Sequence, residues 1–276
     1  MVNGYKPTTL QEAVEIKSRA DAIPYAGGTD LMVKNIPGAV YLFLNDIDEL
    51  KQITQDDECI RIGAAVTFTQ ALADDLIPPL MKEAISRIAA PAIRNAGTFG
   101  GNLGNASDKA DSVLAGFALD ARVRLVSVGG ERTIPFDDFC VRRGVTNIGD
   151  DELIAEILLP KEKCALPYYY KKIGGRSALA ISRVAVAGAY EVRDGVIQAI
   201  SATVIGEGKF TRYREVEATL IGRKVDEVRA NAEEYAERFI EKMTFIRGRV
   251  STEYRKTVVT NLIKDYLASL EQNRLN

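Results

Sequence analysis

The spacing of apolar residues alternates between a helical and a strand period along the first 165 residues. Apolar positions three or four apart, behind capping threonines (Thr8 or Thr9, and Thr67) or after polar loops, predict helices in segments 8–17, 67–75, 80–89 and 111–121. Unbroken apolar runs or strict alternation predict buried or half-buried strands in segments 39–44, 58–66, 121–128 and 152–160. Helices and strands are therefore mixed in this half of the chain.

The pattern changes after a segment of mixed charge that lies between Pro160 and Pro167. Prolines and charges of this kind are typical of a junction between domains. We therefore predict a first domain over residues 1–165 and a second over residues 166–276.

The second half contains strands first and helices afterwards. Segments 182–192 and 196–206 have strand character, and Arg193-Asp194-Gly195 between them is a strong hairpin signal. Charged amphipathic patterns then predict three helices, at 214–221, 226–241 and 252–270. The fold class that follows is α+β, and its second domain is an antiparallel sheet with three helices.

The composition and the charge of the chain are typical of an ordinary globular protein. The chain has 276 residues, of which 46% are hydrophobic and 27% charged, and its 36 basic and 38 acidic residues give a net charge of −2. This balance gives no reason to expect nucleic acid or an anionic membrane as a partner. The sequence has no apolar run of about 18 residues. Its first residues lack the basic and apolar parts of a signal peptide, so we expect a cytoplasmic protein without a membrane span.

The reactive residue types exclude several chemistries. The chain has no histidine, which rules out histidine-based triads, histidine zinc sites and histidine-ligated haem on this chain. Its three cysteines, Cys59, Cys140 and Cys164, lie far apart and do not suggest a disulfide framework, a metal site or an iron–sulfur site. We expect them to be small buried apolar groups. If the protein is an enzyme, a bound organic cofactor is the natural carrier of its chemistry.

Two glycine-rich loops are the main candidates for binding. The first is Ala26-Gly27-Gly28-Thr29-Asp30, and the second, Thr98-Phe99-Gly100-Gly101-Asn102, opens the polar stretch GTFGGNLGNASDKADS. Adjacent glycines allow several peptide N–H groups to point at one ligand, and such groups bind phosphate or pyrophosphate. A tight turn is the alternative for each loop taken singly. Neither loop matches a dinucleotide-binding G-x-G-x-x-G or a P-loop motif, which disfavours a Rossmann domain or a P-loop enzyme.

These loops and their order resemble a known family. AGGTDL, followed about seventy residues later by IAAPAIRNAGTFGGNLGNASDKADS, resembles the FAD-binding subunit of molybdenum hydroxylases, the flavoproteins of xanthine dehydrogenase and carbon monoxide dehydrogenase type. In the second half, Tyr170-Lys171-Lys172 with Arg176, the segment ISRVAVAGA and a final SxEYRK motif from Ser251 are similar to the C-terminal domain of that family.

The resemblance implies a fold and a binding site. It implies a two-subdomain FAD-binding domain of the vanillyl-alcohol-oxidase (PCMH) type, with subdomains of about 1–55 and 56–165, followed by the C-terminal α+β domain. The FAD pyrophosphate would lie between the two glycine loops. The implied contacts are Ala26, Gly27, Gly28, Thr29, Asp30 and Leu31 on one side, and Thr98, Gly100, Gly101, Asn102, Ser107 and Asp111 on the other. A helix cap is the alternative role for Asp111.

Three further positions are implied near the flavin ring. Ile88 would lie against it, and Ile154 or Ala155 would approach it from the strand-like segment ELIAEILLP. Lys172 matches a basic residue that reaches the cofactor in some members, where it would stabilise negative charge on the reduced ring. A solvated surface lysine beside Lys171 is the alternative.

The resemblance also implies a function. The chain would receive electrons on FAD, one at a time, from 2Fe-2S clusters of a small subunit and pass them to an external acceptor. The substrate would react at a molybdopterin cofactor on a large subunit, and the assembly would be a dimer of heterotrimers. Ser177-Ala178-Leu179 stands where some eukaryotic members have an aspartate near the flavin, which argues against NAD as the acceptor. The acceptor itself stays open among NAD, a quinone, ferredoxin and oxygen. The substrate is likewise open.

Two other functions remain. A stand-alone FAD-dependent reductase of the same fold, of the type that reduces a peptidoglycan precursor, also has a GTxGG-type loop, but the EYRK tail does not resemble its C-terminal domain. A nucleotide-binding module without redox work is the second alternative, and a flavin absorption spectrum would exclude it.

Overall fold

A computed structural model of the chain describes residues 3–176, 179–246 and 250–271. Within these residues the strands form sheets of three, five and four strands and one two-stranded ribbon. Ser177 and Ala178, two of the three residues that replace the aspartate of some relatives, lie outside the described residues.

The N-terminal segment forms a small parallel sheet covered by a helix. Its elements are β1 (Asn3–Tyr5), α1 (Leu10–Arg19), β2 (Ile23–Tyr25), α2 (Leu31–Lys34) and β3 (Val40–Phe43), and β3 pairs with both other strands. Helix α1 begins where expected, because the Thr9 hydroxyl accepts a hydrogen bond from the amide of Glu12. Ala13, Val14 and Ile16 of α1 are buried. The segment that connects β2 to α2 contains the first glycine loop.

A five-stranded antiparallel sheet follows, in the order β4-β5-β10-β6-β7. The strands are β4 (Ile53–Gln55), β5 (Cys59–Gly63), β6 (Arg122–Ser127), β7 (Gly130–Pro135) and β10 (Leu153–Pro160), with β8 (Cys140–Arg142) and β9 (Val145–Thr146) as a separate ribbon. A 3₁₀ helix, Asp48–Lys51, precedes the sheet. The helices of this part are α3 (Phe68–Ala73), α4 (Pro79–Ser86), α5 (Pro91–Arg94), α6 (Phe99–Gly104), α7 (Asp111–Ala118), α8 (Phe136–Phe139) and α9 (Lys161–Cys164).

Helix α7 lies at the centre of the molecule. All of its residues are buried, and it packs against α4 on one side and against strands of the C-terminal sheet on the other. Its Gly116 lies directly beneath the ring of Phe136, and Phe117 stacks on Phe210 from the C-terminal half. One hydrophobic cluster therefore continues from the five-stranded sheet into the C-terminal sheet.

The C-terminal half is an antiparallel sheet covered by helices. Its elements are β11 (Tyr168–Ile173), β12 (Val184–Arg193), β13 (Val196–Ile200), β14 (Thr203–Ile205), α10 (Arg214–Leu220), α11 (Val225–Ala230), α12 (Ala232–Lys242) and α13 (Thr252–Ala268). The predicted hairpin is present, since β12 and β13 pair antiparallel. Its turn residues, Asp194 and Gly195, both have positive φ, at 51° and 73°, as two-residue hairpin turns require.

One helix of this half was predicted incorrectly. In place of the single helix at 226–241, two helices, α11 and α12, meet at Asn231. Asn231 leaves the helical conformation, with φ −111° and ψ 23°, and its side-chain amide donates to the carbonyl of Glu227. Asparagine competes in this way for backbone groups, so it favours a break that apolar spacing alone does not show.

Candidate functional site

The two glycine loops lie side by side along one cavity of about 290 Å³. β2 leads into the first loop, and the second loop begins α6. Ten of the fifteen predicted contacts line this cavity: Gly27, Gly28, Thr29, Asp30, Leu31, Thr98, Gly100, Gly101, Asn102 and Ile154. The sequence thus identified most of one continuous surface.

Glycine is required in the first loop by close approach and by backbone conformation. A Cβ on Gly27 would overlap the carbonyl oxygen of Ala96, next to the second loop. Gly28 has a φ of 66°, and a Cβ there would overlap the ring of Tyr25. Gly27 therefore allows the two loops to approach each other, and Gly28 allows the first loop to turn beside the Tyr25 ring.

The first loop presents a run of available peptide donors. In the described part of the chain, the N–H groups of Gly27, Gly28, Thr29, Asp30 and Leu31 have no hydrogen-bond acceptor. Buried or half-buried peptide groups normally have partners. Five successive donors beside a cavity form the kind of concave site that binds the oxygens of a pyrophosphate.

The second loop differs from this expectation. Four of its five amides, those of residues 99–102, have internal acceptors. The amide of Gly100 donates to the carbonyl of Ala64 at 2.8 Å, and that of Gly101 donates to the Thr98 hydroxyl at 3.1 Å. The expectation of free amides on both sides is therefore wrong for the second loop, whose amides fix the start of α6 instead. This loop offers its glycine backbone surface, the Thr98 hydroxyl proton and the Asn102 side-chain amide to the cavity.

A polar bridge joins the two loops at the edge of the cavity. The side-chain amide of Asn105 donates to the Asp30 carboxylate at 2.9 Å, and its oxygen accepts from the Lys34 ammonium at 2.9 Å. The Asp30 side chain is thus directed at Asn105, so the loop's donors are its peptide groups. Asn105 and Lys34 were not identified from the sequence, because their roles depend on contacts over more than 70 residues.

Asp111 lies in a second, buried cluster. Its carboxylate accepts from the Lys172 ammonium at 2.8 Å, from the Ser182 hydroxyl at 2.6 Å and from the Tyr170 hydroxyl at 3.1 Å. The side chains of Asp111 and Lys172 are 5% and 7% exposed. Both alternatives are therefore wrong: Asp111 is the first residue of α7 and caps nothing through its side chain, and Lys172 is not a solvated lysine. Burial, with the charge of Asp111, raises the pKa of the Tyr170 hydroxyl, which keeps it a donor.

The Lys172 ammonium also lies beside the predicted flavin contact Ile88. It donates to the carbonyl of Arg87 at 2.9 Å. The chain then bends between α4 and α5. Arg94 stabilises this bend by donating to the carbonyls of Ile88 and Ala89 at 2.7 and 2.9 Å. Ala89 has a φ of 41°, a conformation that is uncommon for alanine and that persists only where the surroundings impose it. Arg94 was not singled out from the sequence, where it is one residue of IAAPAIRN.

The remaining predicted contacts lie around these two groups. Ala26 lines a neighbouring cavity of about 560 Å³, which shares Gly27 and Thr98 with the first. Ser107 lies outside both cavities, and its hydroxyl accepts from the amide of Lys109 at 3.3 Å. Ala155 is fully buried, so of the two alternatives Ile154 is the residue at the cavity wall.

One hydrogen bond connects the cavity to the buried cluster. The Ser112 hydroxyl donates to the side-chain oxygen of Asn102 at 2.7 Å, and Ser112 follows Asp111 in α7.

Among the residues that the structure describes, no group of three or more acidic or cysteine side chains is arranged to hold a metal ion. No helix in the same residues is long and apolar enough to cross a membrane.

Comparison with known proteins identifies the family. Residues 1–162 match the FAD binding domain in molybdopterin dehydrogenase, and residues 168–270 match the C-terminal domain of carbon monoxide dehydrogenase flavoproteins. The chain is 31% identical over 234 residues to the nicotinate dehydrogenase FAD-subunit of Eubacterium barkeri, with 79% of each chain covered. It is 28% identical over 268 residues to the nicotine 6-hydroxylase medium subunit of Paenarthrobacter nicotinovorans, covering 94% of this chain and 93% of that protein.

A solved structure has the same fold. A chain of the carbon monoxide dehydrogenase from Hydrogenophaga pseudoflava superposes with a TM-score of 0.90 at 22% identity, over 97% of this chain and 96% of that one. The predicted fold class, an FAD-binding domain followed by a C-terminal α+β domain, is thereby confirmed. The protein belongs to the FAD-binding medium subunits of the xanthine dehydrogenase and carbon monoxide dehydrogenase family.

Proposed function

We propose that this chain carries FAD as the electron-transfer subunit of a molybdopterin-dependent hydroxylase or dehydrogenase. The observation that carries the proposal is the run of five peptide donors from Gly27 to Leu31, which have no acceptor among the described residues and line a cavity. A diphosphate supplies the acceptors that these groups lack. The family match over residues 1–162 supports FAD as its source.

Each group of residues would bind the part of the cofactor that suits its chemistry. The first loop would bind the pyrophosphate through its amides, while Thr98 and Asn102 would contribute side-chain donors and Gly100 and Gly101 a surface without side chains. Ala26 and Ile154 would contribute close contacts at the cavity walls, and Ser107 would contact a part of the cofactor that extends beyond them. Residues 1–165 would form the FAD-binding domain and residues 166–276 the C-terminal domain.

Ile88, Asp111 and Lys172 would lie on the flavin side of the site. Bound FAD exchanges electrons singly or in pairs, and the protein provides binding, orientation and electrostatic tuning. Asp111 holds the Lys172 ammonium in place through an ion pair of 2.8 Å. A fixed positive charge beside the cofactor stabilises negative charge that develops there on reduction.

The partners follow from the same proposal. Electrons would come from the 2Fe-2S clusters of a small subunit, and the substrate would react on a molybdopterin-binding large subunit. Two of its relatives are named as the medium chain of a carbon monoxide dehydrogenase and the medium subunit of a nicotine 6-hydroxylase, and such names indicate enzymes of several subunits. We expect a dimer of heterotrimers in the cytoplasm.

Copurification and flavin spectroscopy together test this function. The chain is expressed with its genomic neighbours, and the isolated complex is analysed for FAD, molybdenum and iron. One FAD for each copy of this chain, with flavin reduction only when the partner subunits and a substrate are present, is the expected result. A colourless chain would contradict FAD binding. A yellow chain that is reduced directly by a nicotinamide dinucleotide, without any partner, would favour the stand-alone reductase.

A further inference from the structure

A second cleft, of about 460 Å³, lies where the two halves of the chain meet and is rich in positive charge. It is bounded by the turn between β8 and β9, the loop before β12 and the start of α13. Its ionisable side chains are Asp108, Lys109, Arg143, Arg176, Arg183 and Arg255. Five bases therefore face one acid, although the whole chain has a net charge of −2.

Arg255 is a buried guanidinium that has no counter-ion among the described residues. It is 6% exposed, and two of its nitrogens donate to the carbonyls of Gly206 and Ile246. Its Nε has no partner in the described residues, and no carboxylate there pairs with it. The remaining residues, 1–2, 177–178, 247–249 and 272–276, contain no aspartate or glutamate. A buried charge of this kind is costly unless an opposite charge lies nearby.

The acids nearest to the cleft do not neutralise it. Asp108 is 3.5 Å from the Nε of Arg143, whose side chain is 70% exposed. Glu207, between two glycines at the cleft, is directed away from it and bonds to the Tyr213 hydroxyl and the amide of Thr244. Asp108 is thus paired with one of the five bases, and positive charge predominates at the cleft.

The cleft also has an apolar wall. Ile181 and Ile246 line it and are 69% and 49% exposed, so two large apolar side chains are accessible at the same cleft. Arginine binds phosphate through two parallel hydrogen bonds, and an apolar wall beside such groups accepts a ring. The volume of the cleft is within the usual range of small-molecule sites, about 300–1,000 Å³.

We propose that this cleft binds a phosphate-bearing small molecule of about nucleotide size. The phosphate would lie among Arg143, Arg183 and Lys109 above the buried Arg255, and the apolar part would contact Ile181 and Ile246. This site is separate from the glycine-loop cavity, since the two share no lining residue. The inference therefore does not depend on FAD binding.

Titration calorimetry at low ionic strength tests the proposal, with inorganic pyrophosphate and ADP as probes. The full chain is first saturated with FAD, so that ADP cannot enter the glycine-loop cavity. We expect saturable binding of both probes, weakened about tenfold or more by Arg143→Glu and by Arg183→Glu and weakened further by salt. Arg193→Glu is the matched control, because Arg193 is on a distant hairpin turn with a side chain that is 73% exposed.

The outcomes separate this proposal from the proposed function. Unchanged affinity in Arg143→Glu and Arg183→Glu, an equal effect of Arg193→Glu, or no saturation up to about 10 mM probe would overturn the phosphate site. Flavin absorbance is recorded for every variant as a separate readout. Loss of phosphate binding with full FAD content supports the cleft, whereas FAD failing to bind the wild-type chain contradicts only the proposed function.

Discussion

The Lys172 ammonium donates to the Asp111 carboxylate at 2.8 Å across the junction between the FAD-binding half and the C-terminal half. Ser182 and Tyr170, the other two donors to this carboxylate, also come from the C-terminal half. Asp111 is thus held by three side chains from β11 and the loop before β12. A pair this deeply buried fixes the position of the lysine, and it ties the proposed flavin side of the site to the packing of both halves.

Removing the charge of Lys172 is expected to destabilise the protein strongly. Lys172→Met leaves Asp111 buried without a counter-charge, which costs about 3 kcal/mol in the free energy of unfolding. Its neighbour provides a matched control, because Lys171 pairs with Asp265 at 3.3 Å and both side chains are more than half exposed, at 55% and 52%. Lys171→Met should cost less than about 1 kcal/mol. Chemical denaturation measures the free energy of unfolding of both variants. An equal decrease in the two would show that the buried ion pair contributes no more to stability than the exposed one.

A methyl group on Gly28 is expected to reduce FAD binding. Gly28 and Gly38 have similar positive φ values, 66° and 73°, so alanine at either costs about 1–2 kcal/mol in backbone strain. Only at Gly28 would the methyl group also meet a neighbour, the Tyr25 ring, whereas nothing lies within 4 Å at Gly38. Gly28→Ala should therefore weaken FAD binding about tenfold or more, and Gly38→Ala should not. Flavin absorbance per chain after equilibrium dialysis measures this, and equal FAD content in the two variants would contradict the role of the first loop.

The cysteines are expected to be unreactive in the folded protein. Burial, together with Asp137, raises the pKa of Cys140 from 9.0 to about 12. Burial, together with Cys59, raises that of Cys164 by a similar amount, to about 12. Since the thiolate is the reactive form, a thiol reagent in mildly alkaline buffer should label the native chain slowly and all three cysteines after denaturation. Rapid labelling of Cys140 or Cys164 in the native chain would contradict this.

The same pKa shifts make stability depend on pH. Between about pH 9 and 12 the unfolded chain loses protons from these thiols while the folded chain keeps them, so the free energy of unfolding falls as pH rises. A double variant, Cys140→Ala with Cys164→Ala, should lose stability less steeply over this window than the wild type. Denaturant titrations at several pH values compare the slopes, and identical slopes would rule out this contribution.

Local sequence signals predicted much of the fold and the cavity. The caps at Thr9 and Thr67 depend on residues three positions away, and the structure has both. The turn at Asp194-Gly195 likewise depends only on its own residues. The glycine loops were recognisable because adjacent glycines are needed where two backbones approach closely.

Long-range contacts explain what the sequence did not predict. Gly100 donates to Ala64, thirty-six positions earlier, and no local pattern shows that this amide is already bonded. The Asp111 carboxylate is bonded to groups 59, 61 and 71 positions away, so its role could not be separated from that of a helix cap. Such contacts depend on how the sheets pack and are not encoded in residue spacing.

The bridge through Asn105 is expected to slow the release of FAD. Asn105 joins Asp30 of the first loop to α6, and Lys34 supports it from α2, so the bridge holds the two walls of the cavity together. Asn105→Ala removes both hydrogen bonds, and because these atoms are exposed the chain should lose less than about 1 kcal/mol of stability. FAD release, measured as the recovery of flavin fluorescence after dilution, should become about threefold to tenfold faster.

A matched variant separates this gating effect from a general loss of surface hydrogen bonds. Gln11 donates to Glu15 at 2.8 Å on the exposed face of α1, away from the cavity, so Gln11→Ala removes a bond of the same kind. It should leave the release rate unchanged. If the two variants release FAD at the same rate, the bridge has no part in retention, and the five peptide donors of the first loop must hold the cofactor without help from a closed cavity edge. If Asn105→Ala alone is faster, closure of the loops contributes to affinity through the dissociation rate, as is usual for ligands held by preformed sites.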